Sequence, residues 1–146
     1  MALNFGNIIQ GLAGNFSEVS TEQLTKEYGM YLLEGEQITN GYVLIRDALI
    51  FTTIRILFID KQGATGKKTA IKSIFLMNIV GVEMETAGAG IDDSEIAITY
   101  LVNIKRKAHT ELLATHTFEF PKSTDIVPLY KYLLNLAYQN RLAINE

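Results

Sequence analysis

The chain changes its hydrophobic rhythm twice. Over residues 1–30 the apolar positions recur at helical spacing, first as Phe5, Ile8, Ile9, Leu12 and Phe16. Gly6, Gly11 and Gly14 interrupt that stripe, and its polar face carries no Lys or Arg. Docking on its own domain or on a neighbouring subunit is therefore expected rather than membrane insertion. A second helix has clear start and stop signals. Ser20 and Gln23 form a capping box, Val19 and Leu24 occupy the staple positions, Glu22 and Lys26 pair at i,i+4, and Gly29 is placed to end the helix in the left-handed conformation.

From Glu36 the period becomes two. Strands are predicted over 36–46, 48–53, 55–60, 67–76, 79–85, 94–104 and 111–120, separated by turn-forming or charged breaks such as Arg46-Asp47, Gln62 to Gly66, Gly88-Ala89-Gly90 and Lys105-Arg106-Lys107. Ile96, Ile98, Tyr100, Val102 and Ile104 give the clearest alternating face. Val80, Val82 and Met84 give another, and Phe118 and Phe120 continue the pattern. The third strand is apolar on both sides, with Ile54, Ile56 and Phe58 opposed to Leu57 and Ile59. A face left in water would read polar, so both faces should be covered. Arg55 interrupts this apolar run, and a charge there needs a partner.

The period returns to 3.6 over 123–142. Ser123 or Thr124 is the expected cap, Asp125 complements the dipole, and Pro128 sits near the first turn. Ile126, Val127, Leu129, Tyr130, Leu133, Leu134, Leu136 and Ala137 fill about half the circumference of this helix, which is broad enough to plug an opening. Seven strands and a closing helix make a mainly β, single-domain reading of residues 1–146: an N-terminal lead-in over 1–30, strands over 36–120 and a helix over 123–142.

Composition narrows the function. The 146 residues suit one domain, 48% are hydrophobic and 20% charged, and mean hydropathy is +0.14. The apolar share points to a buried partner surface. The net charge of −3 and pI near 5.4 argue against nucleic acid. Cysteine is absent, which removes disulfides and thiolate chemistry. No Lys or Arg precedes Lys26, so neither a secretory nor a mitochondrial leader is read, and the expected location is cytoplasmic.

No reaction can be assembled from the side chains. His109 and His116 are seven apart and carry no ligand spacing. Gly63 to Thr69 fails the phosphate-loop pattern, because Lys61 and Lys68 stand where that motif needs Gly and Ser or Thr. Asp92-Asp93-Ser94-Glu95 reads as a solvated loop and strand start without calcium-loop spacing. Ser20 and Ser123 are explained as caps, and no serine has an activating base. No enzyme, cofactor or metal is expected.

Specific residues carry a family resemblance. Leu44-Ile45-Arg46-Asp47, Phe51-Thr52-Thr53-Ile54-Arg55 and the run from Ile59 to Lys68 resemble the bacterial pleckstrin-homology-like (PH-like) domain family. Gly14 to Val19 is similar to its lead-in, and Thr86-Ala87-Gly88 and Phe118 to Asp125 to its later strands and helix start. The resemblance implies a PH-like open barrel of seven antiparallel strands in two sheets, preceded by short N-terminal helices. It also implies self-assembly into a cyclic ring, a pentamer being the expected size, with protomers meeting edge to edge. It implies no catalytic residue. The expected function is a non-catalytic scaffold presenting a repeated polar surface to a protein partner. The alternative is peripheral binding of anionic membrane lipid through basic hairpins. Candidate interface residues are Arg46, Arg55, Lys61, Lys67, Lys68, Lys105, Arg106 and Lys107.

Overall fold

The computed structural model describes residues 20–43, 47–62, 68–88 and 93–146, with the side chain of Gln62 excepted. The first of the two helical pieces predicted within residues 1–30, with its Phe5, Ile8, Ile9, Leu12 and Phe16 stripe, and the Val19 staple position lie outside these residues. The elements are α1 (Thr21–Tyr28), a 3-10 turn (Gly29–Tyr31), β1 (Ile38–Val43), β2 (Asp47–Thr52), β3 (Arg55–Gln62), β4 (Lys68–Phe75), a second 3-10 turn (Leu76–Asn78), β5 (Ile79–Glu85), β6 (Ser94–Leu101), β7 (Leu113–Phe120) and α2 (Val127–Ile144). The seven antiparallel strands form two sheets, ordered β1-β2-β3-β4 and β5-β6-β7. The described residues divide into two compact units, residues 20–76 and Met77–Glu146.

In the first unit, Ser20 caps α1 by accepting the Gln23 N–H at 3.2 Å. Gly29 does not end the helix in the left-handed region. Its φ is −59°, and the chain continues into the 3-10 turn. The glycine that takes the left-handed conformation is Gly35, at φ 83°, in the reversal before β1. A 3-10 turn lets the chain leave the helix without a sign change at Gly29.

Leu24 and Tyr28 of α1 pack with Ile38, Ala48, Ile50, Leu57 and Ile59. The register pairs Ala48 with Ile59 and Ile50 with Leu57, so these four share the face that α1 covers. Leu49, Phe51 and Ile56 alternate to the other face and are equally buried. The two-faced pattern of the third strand thus reflects real burial on both sides. Ile54 is the exception: it lies in the turn before β3 and is exposed. Gly41 permits the close approach of α1, because a Cβ there would stand 2.8 Å from Leu24 Cδ1.

In the second unit, α2 packs along β5. It begins at Val127, later than predicted, with Asp125 Oδ1 accepting the Val127 N–H at 3.1 Å, and Ser123 and Thr124 do not cap it. Pro128 explains the shift: it lacks an N–H and its ring blocks the preceding turn, so it fits only beside the start. The buried face of α2 is Leu129, Tyr132, Leu133, Leu136, Ala137 and Asn140, while Val127 and Leu134 are exposed. The apolar arc of the sequence was wider than the face in use, because periodicity marks which positions can be buried but not how the helix is rotated.

The alternating face of β6 ends early. Ile96 and Ile98 are fully buried, but the strand stops at Leu101, and Val102 and Ile104 are exposed in the following loop. Asn103 turns that loop by accepting the Leu112 N–H and donating to the Thr110 carbonyl.

Glu85, Glu95 and Glu119 stand in one cross-strand row. Desolvation, a hydrogen bond shared with Glu119 and the charges of Glu85 and Glu119 raise the Glu95 pKa above its ordinary 4.5. A raised carboxyl contributes stability that is present below pH 4.5 and is lost as pH rises through its folded value. Glu95→Gln is therefore expected to melt higher than the parent at pH 7 and equally below pH 4.5. A lower melting temperature at pH 7 would contradict the electrostatic origin of the shift.

Candidate interaction surfaces

Arg55 begins β3 on the face that α1 covers, and its guanidinium is held inside its own unit. Nε donates to Glu36 Oε2 at 2.8 Å and Nη2 to Glu36 Oε1 at 2.9 Å. Nη2 also donates to the Tyr31 carbonyl at 2.6 Å, and Nη1 to Ser73 Oγ at 2.8 Å. Glu36 accepts further from the Leu33 N–H at 2.9 Å and the Thr52 hydroxyl at 2.6 Å. The Glu36 side chain is only 1% exposed. Burial by itself would raise its pKa, but the hydrogen bonds from Arg55, Thr52 and Leu33 outweigh this and hold it below the usual carboxylate range. The predicted need of Arg55 for a partner is met by Glu36, nineteen positions earlier. The ion pair ties the β2–β3 turn and the edge strand to the segment between α1 and β1.

The remaining basic residues do not form one patch in the first unit. β3 and β4 pair Gln62 with Lys68 and Lys61 with Thr69, so Lys61 and Lys68 project to opposite faces. Lys61 lies 3.6 Å from Glu27 and 5.9 Å above the Tyr28 ring. Burial raises the Tyr28 pKa, the Glu27 charge adds to this, and Lys61 opposes it. Lys68 is exposed. Arg46 and Lys67 lie outside the described residues.

In the second unit, Lys105, Arg106 and Lys107 share the β6–β7 loop, where Lys105 and Lys107 are exposed. Arg106 turns inward, with Nη1 2.9 Å from the Met77 carbonyl and 3.3 Å from Asn140 Oδ1. Lys107 Nζ reaches the Glu146 backbone oxygen at 3.4 Å. His109 is exposed in the same loop, and the His116 ring on β7 lies 6.4 Å from that of Phe118, tilted by 35°. Among the described residues, no group of three or more His, Cys, Asp or Glu is placed to hold a metal ion. Nor is any helix there long and apolar enough to cross a membrane.

Two features were not legible in the spacing of residues. The first is β4, an edge strand whose outer side pairs with no described strand. Along it only Ile74 is buried, and Ile71 and Phe75 are 37% and 47% exposed. The alternation of β4 gave no warning, because an edge strand and a central one can share a sequence pattern.

The second feature is a groove of about 410 Å³ between β5, β6, the start of β7 and the last turn of α2. Arg141 reaches it from α2, where Nε donates to the Val80 carbonyl at 2.6 Å. Asn140 Nδ2 takes the neighbouring Ile79 carbonyl at 2.8 Å. The β5–β6 register shifts between Ile79 and Gly81, so both carbonyls belong to an irregular stretch that α2 satisfies. Arg141 is itself exposed, one position past Asn140, the last buried residue of α2, so helical spacing carried no signal for it.

Residues 7–137 match the family model for the bacterial PH domain. The chain belongs to the bacterial PH-domain family. Its sequence is 44% identical over 90 residues to YjqA of Bacillus subtilis strain 168, an uncharacterized protein, across 62% of this chain and 72% of that one. The crystal structure of a pleckstrin homology domain from Shewanella amazonensis SB2B is similar, with a TM-score of 0.62 and 33% identity over 88% of this chain and 97% of that one. A pleckstrin-homology-domain protein from Shewanella loihica PV-4 gives the same TM-score of 0.62 and 33% identity, over 84% and 97%. The fold of this bacterial PH domain, seven antiparallel strands in two sheets with a C-terminal helix, is similar to that of these two solved PH domains.

Proposed function

We propose that this bacterial PH domain is a non-catalytic scaffold that assembles into a closed ring of identical chains, five in number, and presents a repeated polar surface to a protein partner. The observation that carries the reading is β4. Eight residues of edge strand, without proline, leave main-chain groups and the side chains of Ile71 and Phe75 available to another copy. A strand edge that receives a different surface of the next copy makes a heterologous contact, and such contacts build a ring when the rotation between copies closes.

Light scattering behind a sizing column tests this. The expected result is one species at five times the 16.3 kDa chain mass. The doubly substituted Ile71→Lys, Phe75→Lys protein should run as a monomer with its melting transition retained, since both residues lie on the surface. A parent protein that is monomeric at micromolar concentration sinks the proposal.

Anionic-lipid binding through Lys61, Lys67, Lys68 and Lys105 to Lys107 has weaker geometric support. Lys61 and Lys68 project to opposite faces, Lys61 lies beside Glu27, and Arg106 is engaged internally.

A further inference from the structure

We infer that the groove beside the last turn of α2 binds a small aliphatic zwitterion: an α-amino acid or the ends of a very short peptide. The inference does not depend on ring assembly, because every residue it uses belongs to the second unit. Its anchor is Arg141. The Nε–H is committed to the Val80 carbonyl at 2.6 Å, which fixes the plane of the guanidinium. Among the described residues its outer nitrogens form no ion pair, and they border the groove. A guanidinium oriented in this way offers parallel N–H donors to a carboxylate.

Gly81 keeps the floor open. A Cβ there would lie 3.4 Å from Thr99 Cβ and 3.9 Å from Arg141 Nη2, so a side chain at 81 would occupy the space beneath the guanidinium. Glu83 and Glu111 line the same groove. Together they outweigh the single positive charge, which disfavours a phosphate or a dicarboxylate and favours a ligand carrying its own cation beside one carboxylate. Leu113 and Ile144 supply the apolar wall. The volume of about 410 Å³ falls at the small end of ligand sites and suits an amino acid or dipeptide.

Calorimetric titration of the intact protein decides the matter, with leucine, the dipeptide Val-Leu, N-acetyl-Val-Leu and Val-Leu amide as probes. Binding of Val-Leu or leucine is expected, and capping either end of the dipeptide should weaken it at least tenfold. Leucine binding as well as the dipeptide assigns the free amino acid, whereas dipeptide binding alone assigns peptide ends. Glu83→Gln with Glu111→Gln should abolish the penalty for acetylation. Arg141→Gln should remove binding, but it also releases α2 from β5, so Gly81→Val provides the independent variant: it keeps Arg141 and fills the floor. No heat with either uncapped probe at millimolar concentration, equal binding of capped and uncapped dipeptides, or unchanged binding by Gly81→Val overturns the assignment.

Discussion

Replacing Arg55 with Met is expected to destabilise the protein by about 3–5 kcal/mol, because Glu36 would remain buried with its charge uncompensated. Denaturant unfolding monitored by circular dichroism measures this directly. The Glu36 side chain is 1% exposed, so water cannot take over the role of the guanidinium without opening the segment between α1 and β1. The cost has three parts. Glu36 loses its bidentate partner, the Tyr31 carbonyl loses a donor at 2.6 Å, and Ser73 on the edge strand loses one at 2.8 Å. Converting both residues, Arg55→Met with Glu36→Met, should recover part of the loss, since a buried pair replaced by apolar groups of similar size leaves no unpaired charge. A loss below about 1 kcal/mol for Arg55→Met would place the pair among solvent-screened surface bridges instead.

The same pair sets a pH dependence. The pKa of Glu36 is lower in the folded chain than its ordinary 4.5. Its contribution is therefore complete above pH 4.5 and is lost as pH falls through the depressed value. Glu95 runs the other way, being raised. Below pH 4.5 the parent should lose stability that the Arg55→Met, Glu36→Met protein does not lose.

Leu57→Ala should cost about 2–5 kcal/mol in the same unfolding measurement, the range for emptying a fully buried leucine position. Leu57 is 0% exposed, pairs across the sheet with Ile50 and packs beneath Leu24 and Tyr28 of α1. Ile71 on the edge strand makes the informative contrast. It sits opposite Ile59 but is 37% exposed, and Ile71→Ala should change the stability of the isolated chain by only about 0.5 kcal/mol. If the ring forms through β4, Ile71→Ala weakens the assembly while Leu57→Ala weakens the fold. Light scattering and denaturation then respond to different substitutions. An equal loss of fold stability from both would show that β4 is part of the core and remove the edge argument.

The mainly β architecture was legible because each strand pattern is local. The rhythm of Ile96 and Ile98, and the double-sided run of Ile56, Leu57 and Ile59, announce strands whatever surrounds them. The helix cap at Ser20 is local too, since its acceptor and donor are three residues apart. The helix starts at Val127 rather than after the polar residues Ser123 and Thr124, because the backbone restriction of Pro128 is a stronger constraint than the capping preference of a hydroxyl.

Properties that depend on distant residues were settled only in three dimensions. Arg55 announced that it needed a partner, yet nothing nearby in the chain identified Glu36; the turn at Gly35 and the β2–β3 reversal bring the two together. Lys61 and Lys68 looked like one basic hairpin and point to opposite faces, because the strand register rather than proximity in sequence sets direction. The exposure of β4 follows from its place at the end of the sheet order, and the groove at Arg141 from a register shift in β5. The sequence by itself determined which segments become strands and helices and what they can bury. Strand order, register and helix rotation decided which surfaces remained open, because those are relations between segments and no single segment encodes them.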